Sequence, residues 1–260
     1  MLYRTGKLPK VVDERTLQLA RYLSPALAPP PARCDYTGKF IGPGGRSLWG
    51  MLGNDSVGDC ALAGQAHADM LWAEFAEGRR LRITDAMVIH AYSTVTGYVP
   101  GDPNTDRGTS LLDALKFWRR PGIDRQTVRA FVEVDPQDLD NVRRTIDWFG
   151  CAYLGVELPD AVLPHALPIP DWTCSPDGSP EKRPNPQNGH CVIYAGYNAV
   201  GPLAVTWGQT VQVSWAFHAA YCDELYALLA PSWLKAGWLE QINPLFDAKT
   251  LAADLAAIAA

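Results

Sequence analysis

The sequence predicts an α+β chain of two packed lobes. Three observations support this: apolar residues at helical spacing fill the first half, runs rich in Val, Tyr, Ile and Trp fill the second, and a proline-rich stretch precedes both. With 260 residues, 47% hydrophobic and nine of them Trp, the chain can bury a large core. A net charge of −5 offers no broad attraction to nucleic acid or anionic lipid, despite short basic pairs at Arg119-Arg120 and Arg143-Arg144, so neither partner is expected. The N-terminal "MLYRTGKLPKVVDERTL" is charged throughout, and no apolar run is long enough to span a bilayer, which predicts a cytoplasmic protein. Six cysteines without CxxC spacing predict free thiols in a reducing compartment and no metal site.

Residues 1–50 contain "SPALAPPPARCDYTGKFIGPGG", whose prolines cannot sustain a helix or central strand. An extended lead-in arm is expected there. Leu62, Ala66, Met70 and Ala73 recur at helical spacing between Ser56 and Glu77, predicting a buried helix with Cys60 in its first turn. A second helix is predicted from the Thr84-Asp85 start to Thr96, and a third, capped by Thr109 or Ser110, to the stop at Pro121-Gly122. In "DPQDLDNVRRTIDWFG", Asp135 is the expected cap of a fourth helix, with Pro136 at its first position. Strands are then predicted at "CAYLGVEL", "GHCVIYAGYN" and "PLAVTWGQTVQVSW". An irregular stretch over 159–188 separates the first two and is long enough to border a site. "AFHAAYCDELYALL" reads as a last helix and "KTLAADLAAIAA" as a small terminal one.

Cys60 lies where a helix starts, among unpaired backbone N–H groups at the positive end of the helix dipole. That position favours a thiolate and offers donors to an oxyanion. A thiolate nucleophile needs a base, and His190 opens a strand directly after Gly189. Most buried cysteines are packing residues, so the thiol alone is weak evidence. His67 sits two turns along the same helix, about 10 Å from Cys60 by rise, and reads as a core or lobe-interface side chain. His218 and Cys222 are four apart, yet no motif supplies further ligands, and both read as packing; Cys191 should point to the face opposite His190. The aspartates of the 102–106 loop lack the glycine and glutamate spacing of a calcium loop.

The segment from Asn54 through Gly58-Asp59-Cys60-Ala61, the "GTSLLDAL" helix start, the "GHCVIYAGYN" strand and the "TWG" turn occur in an order that resembles the papain-like cysteine peptidases. The likeness spans roughly residues 50–230. It implies a papain-like domain over 51–260, with a helical lobe over about 51–150 built round a central buried helix. An antiparallel β lobe over about 151–235 and a helical tail would follow. It implies Cys60 as nucleophile, His190 as general base and acid, and Asn54 in the place of an oxyanion-donating glutamine. Gly108 would fall near a substrate-pairing segment and Trp207 over the histidine, with no cofactor. The chain departs from the pattern where the family carries a histidine-orienting asparagine: it reads Val205-Thr206-Trp207-Gly208, leaving Thr206 as a candidate acceptor. Asp59 beside the nucleophile would raise the thiol's pKa. No helical inhibitory segment is visible ahead of Cys60, which fits a resident intracellular bacterial or phage-borne protein. Peptide or amide hydrolysis, deamidation and acyl transfer stay open, as does a catalytically degenerate binding or structural module on the same scaffold.

Overall fold

The computed structural model describes residues 3–25, 27–163, 168–235 and 245–259. Among them, the first half supplies α1 (Cys60–Ala76), α2 (Asp85–Thr96), α3 (Leu111–Arg119) and α4 (Leu139–Phe149). The α1 helix is buried on every side from Cys60 to Ala73, as expected of a helix that is apolar all round. Its few polar side chains are tied to neighbours: Gln65 Nε2 donates to Ala114 O at 2.6 Å, and Trp118 Nε1 donates to Asp69 Oδ1 at 3.3 Å. Thr84 caps α2 and Ser110 caps α3, each hydroxyl accepting a backbone N–H three residues on.

The second half is an antiparallel sheet. Its path runs β2 (Ala130–Val134), β7 (Cys222–Leu229), β3 (Ala152–Glu157), β4 (Gly189–Tyr197), β5 (Pro202–Thr206) and β6 (Gln209–Gln212), with β1 (Cys34–Asp35) also paired to β4. Both faces of the central strands are covered, so β3 and β4 are buried almost throughout. Cys191, Ile193 and Ala195 face the helical-lobe core with α1, whereas Val192 and Tyr194 join a second core with α4 and α5 (Trp215–Tyr221). Close contact of α1 with the sheet needs Gly64: a Cβ there would lie 3.2 Å from Tyr153 and 3.3 Å from the Cys191 sulfur. The terminal helix, α6 (Ala248–Ala259), lies near the first helical turn of the arm, and residues 236–244 of the expected tail fall outside the described residues.

Three expectations need correction. The "AFHAAYCDELYALL" run is not one helix: α5 stops at Tyr221, and Cys222–Leu229 is the strand between β2 and β3. A short apolar run carries both periods, and here two flanking strands decide the matter. The strand Ala130–Val134 lies inside the half read as wholly helical, pairing with that same β7. The fourth helix begins later than expected, capped by Asp138, whose carboxylate accepts from Asn141 N at 3.1 Å; Asp135 instead closes a turn by accepting from Gln137 N. Within the stretch read as a lead-in arm, Leu19, Tyr22, Phe40 and Trp49 are fully buried and belong to the core.

Candidate active site

Cys60 is the first residue of α1 and is buried where that helix packs on β4, with the backbone N–H of Cys191 among the groups that favour its thiolate. The neighbouring residue on that strand is His190. Its Nε2 lies 2.7 Å from Thr206 Oγ1, and its ring stacks on Trp207 at 4.2 Å between centroids and 17° between planes. Thr206 and Trp207 reach the imidazole because the β5–β6 hairpin turns over it, with Trp207 itself at φ 44° and Gly208 at φ 69°. Thus Thr206 stands where the resemblance left the orienting group open. His190 Nδ1 is buried and has no hydrogen-bond partner among the described residues.

Burial sets the protonation of both groups. It pushes the Cys60 thiol up to about 12, with Asp59 adding to the rise and the Cys191 N–H and Lys7 opposing it. It pushes the His190 imidazole down to about 3. Asp59 is itself driven toward its protonated form by burial. The Asn54 amide donates to Val57 O at 3.0 Å, so one of its two N–H donors is engaged within its own turn. A groove of about 770 Å³ continues from Trp207 past Met51 and Phe40.

Sequence reasoning missed what fills the rest of the cleft. Residues 4–8 of the arm cross it as an extended strap. Arg4 N donates to Asn54 O at 3.1 Å, Trp207 Nε1 to Arg4 O at 2.9 Å, and Gly6 N and Lys7 N both to Gly189 O, at 3.0 and 2.9 Å. On the other wall Thr109 N donates to Gly6 O at 2.9 Å and Leu8 N to Thr109 O at 3.0 Å. Gly108, at φ 73°, makes this approach possible: a Cβ on it would collide with Gly6 O, and a Cβ on Gly6 would collide with the backbone of Gly58, two residues before Cys60. The segment that the resemblance assigns to substrate pairing is paired here with the chain's own arm.

Lys7 turns its side chain down beside the cleft. Its Nζ lies 2.6 Å from Asp223 Oδ2 and 3.3 Å from Glu224 Oε1, and Tyr226 OH steadies Glu224 by donating to Oε2 at 2.8 Å. Burial pulls the lysine's pKa down, but Asp223 and Glu224 more than offset it, so the net shift is upward. No sequence signal pointed to this cluster, because Asp223 and Glu224 lie in the run first read as helix. Elsewhere, His67 Nε2 bonds to Gly50 O at 3.1 Å, and His218 Nε2 to Pro136 O at 2.8 Å. All six cysteines are free thiols, and among the described residues no cluster of metal-binding side chains occurs.

No protein-family model matches the chain, and no curated protein sequence is significantly similar to it. Solved structures do share its fold. Xylellain, a cysteine protease from Xylella fastidiosa, superposes with a TM-score of 0.64 over 88% of this chain and 96% of its own, at 12% identity. Digestive procathepsin L 3 of Tenebrio molitor larval midgut gives 0.56 over 87% and 76%, at 11% identity. A Carica candamarcensis cysteine protease gives 0.51 over 77% and 99%, at 12% identity. The fold is therefore the papain-like one, mixed helix and antiparallel sheet, and no helix among the described residues is long and apolar enough to cross a membrane.

Proposed function

From a papain-like fold with a buried thiol at the head of its central helix and a histidine at the start of the strand packed on that helix, we propose that the chain is a thiol hydrolase acting on peptide or amide bonds. One observation carries the reading: the His190 ring is clamped between Trp207 and the Thr206 hydroxyl, leaving Nδ1 as the ring nitrogen without a partner. If Thr206 Oγ1 accepts from Nε2–H, the other nitrogen keeps its lone pair and serves as base. Nδ1 takes the Cys60 proton, the sulfur attacks the carbonyl carbon, and the resulting oxyanion meets the backbone N–H of Cys60. His190 returns that proton to the leaving amine, and water then releases the acid from the thioester, with His190 again as base. An amine in place of water gives acyl transfer, and a side-chain carboxamide as substrate gives deamidation.

The strap makes this a resting state. With residues 4–8 over Gly58 and Gly189, water is excluded and both groups stay neutral, so a substrate must displace the strap before the thiol can ionise. Free thiols throughout are consistent with a reducing, cytoplasmic setting. The test is iodoacetamide labelling at pH 7 with the adduct mapped. Cys60 in the native chain should react slowly and in Gly6→Val at least about tenfold faster, because that substitution collides with Gly58. His190→Ala on the Gly6→Val background should cancel the gain. Equal rates in all three chains would sink the proposal.

A second reading, a non-catalytic binding module, is favoured by the Asn54 amide bonding to Val57 O and by Asp59 next to the sulfur in sequence. It requires that Cys60→Ala leave biological activity intact.

A further inference from the structure

We propose that the recess holding Lys7 is a specificity pocket for a lysine or arginine side chain on an extended peptide, filled at rest by the chain's own strap. The inference rests on the cleft being a peptide-binding site, and it adds the class of side chain that the site takes.

Three independent features build the pocket. Its floor is open because position 155 on β3 is glycine: a Cβ there would collide with Cε of Lys7, so any other residue would occupy the space of the lysine stem. Its end is acidic: Asp223 and Glu224 ligate the ammonium, and Glu157, at the end of β3, lies within electrostatic reach of both Lys7 and Asp223. Two carboxylates thus hold one cation, with the charge of a third farther off. Its rim is a backbone clamp, with Gly189 O on one side and both the N–H and C=O of Thr109 on the other. The clamp holds a short extended segment through main-chain groups that any peptide carries. Main-chain pairing therefore supplies sequence-independent affinity, and the recess supplies the selection. When the strap leaves, Glu224, 1% exposed, loses its ammonium partner, a state favoured only if water or another cation replaces it. A neutral side chain of equal length would leave that carboxylate unpaired, and an acidic one would be repelled.

The experiment uses the full chain carrying Gly6→Val, to displace the strap, and Cys60→Ala, to prevent turnover. Fluorescein-labelled hexapeptides that differ at one position, bearing Lys, Arg, Met or Glu, are titrated by fluorescence anisotropy. Lys and Arg peptides should bind at least about tenfold tighter than Met, with Glu weakest. Adding Asp223→Asn and Glu224→Gln should bring Lys and Met to within about twofold of each other. In parallel, Gly155→Val should abolish the preference with every charge retained. If Gly6→Val does not fold, Lys7→Ala in the otherwise native chain provides the second measurement: millimolar n-butylamine should raise its melting temperature and leave the native chain unchanged. Equal binding of Lys and Met peptides, a preference that survives loss of both carboxylates, or no amine rescue would each show that the recess only anchors the arm. Lysine-selective binding in the Cys60→Ala chain, with no cleavage of the same peptides by the Cys60-intact chain, would sink the hydrolase reading alone and leave the pocket standing.

Discussion

The two ends of the cleft bury ionisable groups to opposite effect. Around Cys60 and His190, walls of Trp207, α1 and the strap remove water and supply no net charge of opposite sign in contact, so the thiol and the imidazole are both held neutral. Around Lys7 the side chain is also buried, but two carboxylates sit against the ammonium, and its charge is kept. Depth alone does not decide ionisation; the partners within a few ångströms do. The contrast explains how one short strap can silence a thiol at Gly6 and be fastened by an ion pair at the very next residue.

The strongest way to break the contrast is to remove the cation. Lys7→Met should lower unfolding stability by about 3 kcal/mol, as expected when one partner of a buried pair is lost, measured by urea denaturation. Glu224→Gln on top of it should recover part of the loss. A Lys7→Met chain as stable as the native one would mean that the ion pair does not hold the strap.

A smaller effect is expected at the neutral end. Thr206→Val keeps the shape but removes the acceptor 2.7 Å from His190 Nε2, leaving a buried ring nitrogen unpaired. Stability should fall by roughly 1–2 kcal/mol. On the strap-released background, the Cys60 labelling rate should fall toward that of His190→Ala, whereas Thr206→Ser should restore it. If Thr206→Val labels at the full rate, Thr206 does not orient the ring.

The last effect is a pH slope. His67 and His218 are pushed down to about 4 and His190 to about 3, in each case by burial. Below the unfolded value near 6.5 the unfolded chain binds protons that the folded chain refuses, so these histidines cost stability as pH falls from 6.5 toward 4. His218→Gln keeps a donor for Pro136 O and removes one such site. Its stability should fall less steeply over that window, by up to about 1.4 kcal/mol per pH unit. Parallel slopes in the two chains would show that His218 is not held neutral.

Several elements were legible because their signals are local. The Thr84 and Ser110 caps, the Pro121-Gly122 stop and the period of α1 follow from residues within a few positions of each other, and each appears in the fold. The Cys191 side chain faces α1 as strand alternation requires, once Gly189–Tyr197 is a strand. Strand β7 was not legible, because Asp223 through Leu229 carries no period that separates helix from strand; pairing with β2 and β3 decides it. The strap failed to show for a related reason. "RTGKL" has no amphipathic face of its own, and its place is set by the backbone groups of Asn54, Thr109 and Gly189, drawn from three distant parts of the chain.

By itself, then, the sequence determined the order of most elements, the thiol at the head of a buried helix and the histidine at the start of a strand, since caps, periodicity and glycines act over a few residues. Tertiary structure alone decided that Thr206 meets His190, that the Asn54 amide bonds to Val57 O, and that Lys7 lies between Asp223 and Glu224. Those contacts join residues 16 to 217 positions apart, or depend on which way a side chain turns, and their energies exist only after the lobes have closed around them.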